Sequence, residues 1–224
     1  MGIKKPRTGV TQKEKNKRYY ENSFFHNEVI DDSIECLINL LILGDEEAVR
    51  GCLLTYPEIN ICEISEHYHF SPLYVALLNL IGKNGAEYRI HFNLLKDLLK
   101  MPGIHINTLD NSNRPILFVV TAMENLEVLD IFLQIPTLDV NRVDNLGNTV
   151  LHDAACRHSL PVVQRLLADT RIDSRIKNKN NETADQAFAI QYTTNRGVQA
   201  AEIITSIQMH QHELNQLNSY KIVK

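Results

Sequence analysis

No apolar stretch of this sequence is long enough to cross a bilayer. The longest, Leu37 to Leu43, is interrupted by Asn39 and stops at Gly44-Asp45, well short of the roughly 20 residues that a spanning helix needs. The start of the chain has no apolar core of a secretory signal, because its cations lead into further charge. Myristoylation is not expected either, since Pro6 stands where the motif wants Ser or Thr after Met1-Gly2. Cysteine is scarce. Cys36, Cys52, Cys62 and Cys156 form no CxxC pair, which leaves no support for a zinc ribbon or a thioredoxin-type centre and makes free thiols in a reducing compartment the expectation. Cys36 and Cys52 fall on apolar helical faces and read there as small hydrophobes. Glycine and proline number only 9 and 7 among 224 residues, with 44% of the chain hydrophobic and 22% charged. Such a composition excludes collagen-like and disordered chains and suffices for one substantial core.

Catalytic and cofactor motifs are missing as well. Neither GxGxxG nor GxxxxGK[ST] occurs, nor HExxH, nor GxSxG. His67-x-His69 beside Glu66 sits in an expected hairpin, and His210-x-His212 on an expected helix. A metal needs three or four converging ligands, and neither pair has more in view. Two positions along a helix also point about 200° apart. No metal, cofactor or catalytic residue is therefore expected.

Charge of one sign is unevenly placed. The net charge is −4, yet residues 1–18 carry Lys4, Lys5, Arg7, Lys13, Lys15, Lys17 and Arg18 against Glu14 alone, a segment of +6. The rest of the chain, with 16 cations and 26 acids, stands at −10. An acidic body is a poor general binder of nucleic acid, and the basic segment reads as a disordered solubilising tail.

What is present is a repeat. Ser71-Pro72-Leu73-Tyr74-Val75-Ala76, Pro115-Ile116-Leu117-Phe118-Val119-Val120 and Thr149-Val150-Leu151-His152-Asp153-Ala154 open three similar units, and Thr183-Ala184 a degenerate fourth. Their starts differ by 44, 34 and 34 residues. Each opening is followed by an apolar helical stretch, such as Val128-Leu129 and Val162-Val163. Pro57, Pro102 and Pro136 then stop a helix, since proline lacks the donor and disfavours helix in the residue before it. After each proline the chain alternates apolar and polar residues and reaches turn chemistry at Asp110-Asn111-Ser112-Asn113, Asp144-Asn145-Leu146-Gly147-Asn148 and Asn178-Lys179-Asn180-Asn181.

This period and pattern resemble the ankyrin repeat. The closest stretch is Gly147 to Ala154, which follows the family's G-x-T-P-L-H-x-A with Val150 in the proline's place. The resemblance implies an all-α fold, a solenoid of helix–turn–helix units joined by β-hairpin-like loops. Five units are expected, at about 31–65, 66–109, 110–143, 144–177 and 178–217, preceded by a candidate cap at 19–30 and followed by a tail at 218–224. The second is longer by an insert near 81–90, read as a loop from Gly82, Lys83, Asn84 and Gly85. The last helix, about Val198 to Leu217, is expected to turn Val198, Ala201, Ile204, Ile207, Leu214 and Leu217 inward, with Gln208, His210 and His212 elsewhere.

The resemblance also implies that His152 is a structural histidine bonding neighbouring backbone, which outweighs a Cys156–His152 nucleophile pair lacking any orienting third group. It implies further that a protein partner binds along the concave groove. The candidate contact residues are those the stack does not itself require: Tyr68, Phe70, Asn111, Arg114, Asn145, Leu146 and Asn180 at the tips, and Asn79, Met123, Asp153 and Arg157 on the first helices. Leu146 is the sharpest, a large apolar residue in a polar turn. The expected function is thus a non-enzymatic interaction module, monomeric and acting in the cytoplasm. The degenerate repeats resemble ankyrin-repeat effectors that intracellular bacterial pathogens deliver to host cells, which would make the partner a host protein. The alternative is binding of nucleic acid or an anionic membrane through the basic tail, with the repeats as scaffold.

Overall fold

The computed structural model describes residues 33–66, 69–101, 104–110, 114–191 and 198–222. All belong to the second of the two units, Met1–Asp32 and Ser33–Lys224, into which the chain divides. The basic tail at 1–18 and the candidate cap at 19–30 lie outside the described residues.

Ten helices occur among these residues, in pairs: α1 (Ser33–Leu43) and α2 (Glu46–Thr55), α3 (Pro72–Leu78) and α4 (Gly85–Leu98), α5 (Ile116–Ala122) and α6 (Leu126–Leu133), α7 (Val150–Cys156) and α8 (Leu160–Leu167), α9 (Ala184–Gln191) and α10 (Val198–Ile222). No strand forms among the described residues beyond one antiparallel bridge, Leu109 to Pro115. The fold is the ankyrin-repeat solenoid.

Each inner helix of two turns is buried almost all round, because it packs on its own outer helix and on the inner helices before and after it. In α5 every residue from Ile116 to Thr121 is buried, and in α7 Val150, Leu151, His152, Ala154 and Ala155. Outer helices bury one stripe only: Val128, Leu129 and Phe132 in α6, and Val162, Val163 and Leu166 in α8. The inner helices α1, α5 and α7 are followed by a left-handed residue, Gly44, Glu124 and His158, with φ of 67°, 53° and 58°. The next residue is the N-cap of the outer helix, and the Asn125 side chain caps α6 by accepting from the Glu127 and Val128 amides.

The expected loop at 81–90 is not a loop. Only residues 81–84 form a turn, and from Gly85 onward the insert extends α4 to 14 residues, against 8 in α6 and in α8. Lys83 pairs with Glu87 across this start, and the Phe92 ring stacks on Tyr88 at 5.5 Å. Side-chain packing on the preceding turn outweighs the two glycines.

Repeats are tied together by asparagine rungs. Asn107 donates to the Thr137 carbonyl (2.8 Å) and accepts from the Asp139 amide (2.7 Å). One repeat on, Asn141 donates to the Arg171 carbonyl (2.7 Å) and accepts from the Asp173 amide (2.9 Å). Arg171, clasped by Asp169, reaches back to the carbonyls of Leu133, Ile135 and Leu138 at the end of α6, where a cation meets the negative end of the helix dipole.

The final helix buries part of the expected face, Ile207 with Ile204 packed on the core, but turned toward neighbouring positions. Ala200, Ile203 and Ile207 are buried, while Ala201 is exposed and Leu217 is 59% exposed. The reason lies in the last repeat. Asp185 stands in register with the buried Leu151, and Ser174 with the buried Val140. Both are themselves buried, so α10 must bring polar groups to them. Gln208 and Gln211 donate to the Asp185 carboxylate (3.2 and 2.8 Å), as does the Thr183 hydroxyl (2.6 Å), and His210 Nδ1 pairs with the Ser174 hydroxyl at 2.8 Å.

Candidate functional site

The hairpins that carry the tips are closed by one device used three times. Asp110, Asp144 and Asn178, spaced by 34 residues, each receive backbone amides on the side chain. The Arg114 amide donates to Asp110 Oδ1 (2.9 Å), the Leu146 and Asn148 amides to Asp144 Oδ1 (both 2.8 Å), and the Asn180 and Glu182 amides to Asn178 Oδ1 (3.0 and 3.1 Å). These side chains mimic a backbone turn and fix what the tip presents.

In this register the candidate residues fall into rows. Leu146 and Asn180 share a tip position, and Asn79, Met123 and Arg157 share the C-cap of an inner helix. Leu146 is 65% exposed, yet its backbone is held: its amide by Asp144, and its carbonyl by the Lys179 amide of the next hairpin at 3.0 Å. Asn145 and Asn180 are exposed beside it. Arg157 is exposed and pairs with Asp153 at 2.7 Å. The accessible candidates thus lie at the tips of the fourth and fifth hairpins and at the end of α7.

Other candidates are occupied by the fold. Arg114 binds the buried Asp110 through two guanidinium nitrogens (3.0 and 2.8 Å) and closes its own hairpin. The Asn79 side chain donates to the Leu41 carbonyl at 2.9 Å and ties α3 to α1. Met123 packs against the core, and Phe70 is half-buried with its ring stacked on Tyr74 at 5.1 Å. Tyr68 and Asn111 lie outside the described residues, as does His67. Sequence reasoning passed over Lys179, exposed on the tip beside Leu146. Its place directly after Asn178, in register with Asn145, was the available signal.

His152 and Cys156 do not form a nucleophile–base pair. His152 Nδ1 accepts from the Thr149 amide (3.1 Å), which places the proton on Nε2, 3.1 Å from the Glu182 carbonyl. Both nitrogens are committed to backbone, and burial holds the imidazole below its usual range. Burial also pushes the Cys156 thiol up, away from the reactive thiolate. The Cys52 thiol is raised by its hydrogen bond to Cys36 and by burial.

The residues from 84 to 180 match the family model described as ankyrin repeats, in three copies. Solved structures match in number, 358 chains, as expected of a scaffold that serves many functions. The crystal structure of EF0377, an ankyrin repeat protein, superposes with a TM-score of 0.62 at 20% identity, covering 79% of this chain and 81% of that one. No curated protein matches the sequence. Fold and family model together define the class as an ankyrin-repeat solenoid. No helix among the described residues is long and apolar enough to cross a membrane.

Proposed function

We propose that this chain is a non-enzymatic protein-binding module that captures its partner with the tips of the fourth and fifth hairpins and the end of α7. The observation that carries this reading is Leu146, an apolar side chain 65% exposed on a backbone pinned by Asp144 and Lys179. A pre-ordered anchor loses little conformational freedom on association. Lys179 beside it favours a partner surface that sets a carboxylate next to an apolar pocket. The degenerate repeats support a role as an effector in the cytoplasm of a host cell, with a host protein as partner and the chain acting as a monomer.

The test is affinity capture from eukaryotic cell lysate, read by mass spectrometry. It compares the intact chain with a Leu146→Glu, Arg157→Glu variant whose helicity has been checked by circular dichroism. Arg114 is left unchanged because it closes its hairpin. A protein retained by the first and lost by the second supports the reading and names the partner; identical sets overturn it. The +6 charge of residues 1–18 favours a second reading, a nucleic-acid or anionic-membrane binder. Its binding to duplex DNA or anionic vesicles should fall steeply with salt and vanish when residues 1–18 are deleted.

A further inference from the structure

The junction between the first two repeats is built differently from the two that follow. Asn107 and Asn141 stand five residues after Pro102 and Pro136, and five residues after Pro57 stands Cys62. A carboxamide offers a donor and an acceptor side by side, as the two rungs use it, whereas a thiol is one weakly bonding atom. Cys62 is buried and its thiol turns to Thr108. The group that a rung would serve is therefore left over. His105 is in register with Asp139 and Asp173, whose amides donate to Asn107 and Asn141. The His105 amide has no partner among the described residues. Beside it is a cavity of about 390 Å³, walled by Pro57, Ile59 and Ile61 on one side and Met101, Ile104 and His105 on the other. That volume lies within the range of ligand pockets, which pair apolar walls with a few placed polar groups.

We propose that this junction binds an extended peptide segment bearing an asparagine or glutamine side chain, whose carboxamide oxygen accepts from the His105 amide while its apolar neighbours pack on Ile59 and Ile104. The bound carboxamide completes from outside the rung that Asn107 and Asn141 supply from within. The site is distinct from the Leu146 tip surface, so its failure leaves the proposed function standing.

The test uses the full chain, labelled with nitrogen-15, and the capped hexapeptide acetyl-Leu-Asp-Val-Asn-Arg-Val-amide, which copies residues 138–143. A saturable shift of the His105 amide resonance is expected. The same peptide with leucine in place of asparagine should bind about tenfold more weakly or not at all, as should the asparagine peptide to a Cys62→Asn chain, which supplies its own rung. No saturable shift at His105, or equal binding of the two peptides, overturns the proposal. Undiminished binding to a folded Cys62→Asn chain does so too. If that variant does not fold, the pair of peptides on the unaltered chain decides.

Discussion

Gly147→Ala probes the contact that holds the Leu146 tip against the next hairpin. Gly147 has φ of +77°, where an L-residue costs about 1–2 kcal/mol. An added Cβ would also lie 2.9 Å from the Lys179 nitrogen and 3.3 Å from two backbone carbons of Asn178. These are backbone atoms that cannot rotate aside, so the two hairpins must separate. Separation loses the 3.0 Å bond from the Lys179 amide to the Leu146 carbonyl, a further 1 kcal/mol or about that. The expected loss of stability is about 2–3 kcal/mol. Gly82→Ala supplies the control: its φ is +72°, but nothing lies within 4 Å of the added carbon, so only the same conformational cost of about 1–2 kcal/mol remains. Urea unfolding followed by far-ultraviolet circular dichroism should separate the two variants by about 1 kcal/mol. Equal losses would refute the reasoning, because the cost would then come from the backbone angle alone.

Three further outcomes follow from the geometry. Asn141→Ala removes both halves of a rung and leaves the Arg171 carbonyl and the Asp173 amide unserved, for a loss of roughly 1–3 kcal/mol and faster hydrogen exchange at Asp173. His152 is held neutral by burial, below its unfolded value of 6.5; the unfolded chain therefore takes up the proton first, and stability present above pH 6.5 is lost as the pH falls. His152→Gln, which copies the Gln186 side chain accepting from the Thr183 amide, should flatten the fall between pH 7 and 5 measured by thermal unfolding; His91, also lowered by burial, accounts for the slope that persists. Glu124→Gly relieves a left-handed residue that is exposed and should stabilise by about 0.5 kcal/mol once the freer unfolded chain is counted. His158→Gly should not stabilise, because the same backbone relief forfeits the packing of the His158 ring on Phe188 at 5.0 Å, and denaturant midpoints of the two variants check the contrast.

The solenoid is legible in the sequence because its markers recur at one spacing. Asp110, Asp144 and Asn178 announce the same turn, and Leu73, Leu117 and Leu151 the same buried inner position. Where an element departs from the repeat, reading fails for a physical reason. Gly82 and Gly85 announce a loop locally, but Tyr88, Phe92 and the apolar face behind them extend α4 to Gly85. In α10 the apolar residues can be drawn on more than one face, and the choice between faces is made by Asp185 and Ser174 across the interface. Helical periodicity within α10 carries no information about those two side chains.

Among the candidate contact residues, sequence could single out as accessible only a tip residue with no second role. Leu146 qualifies, since nothing in an Asx-stabilised turn requires a large apolar side chain. Arg114 shows the opposite. Its type and position suit a binding surface as well as those of Arg157, and each has an aspartate four residues before it. Yet Asp110 is buried and needs its cation, while the Asp153–Arg157 pair lies at the surface of α7, where such pairs contribute little to stability. Replacing Arg114 would remove the cation from a buried carboxylate, at a cost in folding that a binding assay would misread as lost contact. The distinction lies in the burial of the partner, which spacing along the chain does not encode. Cys62 makes the same point at the first junction. No cysteine motif marks it, and only comparison with the neighbouring repeats shows that they place an asparagine there.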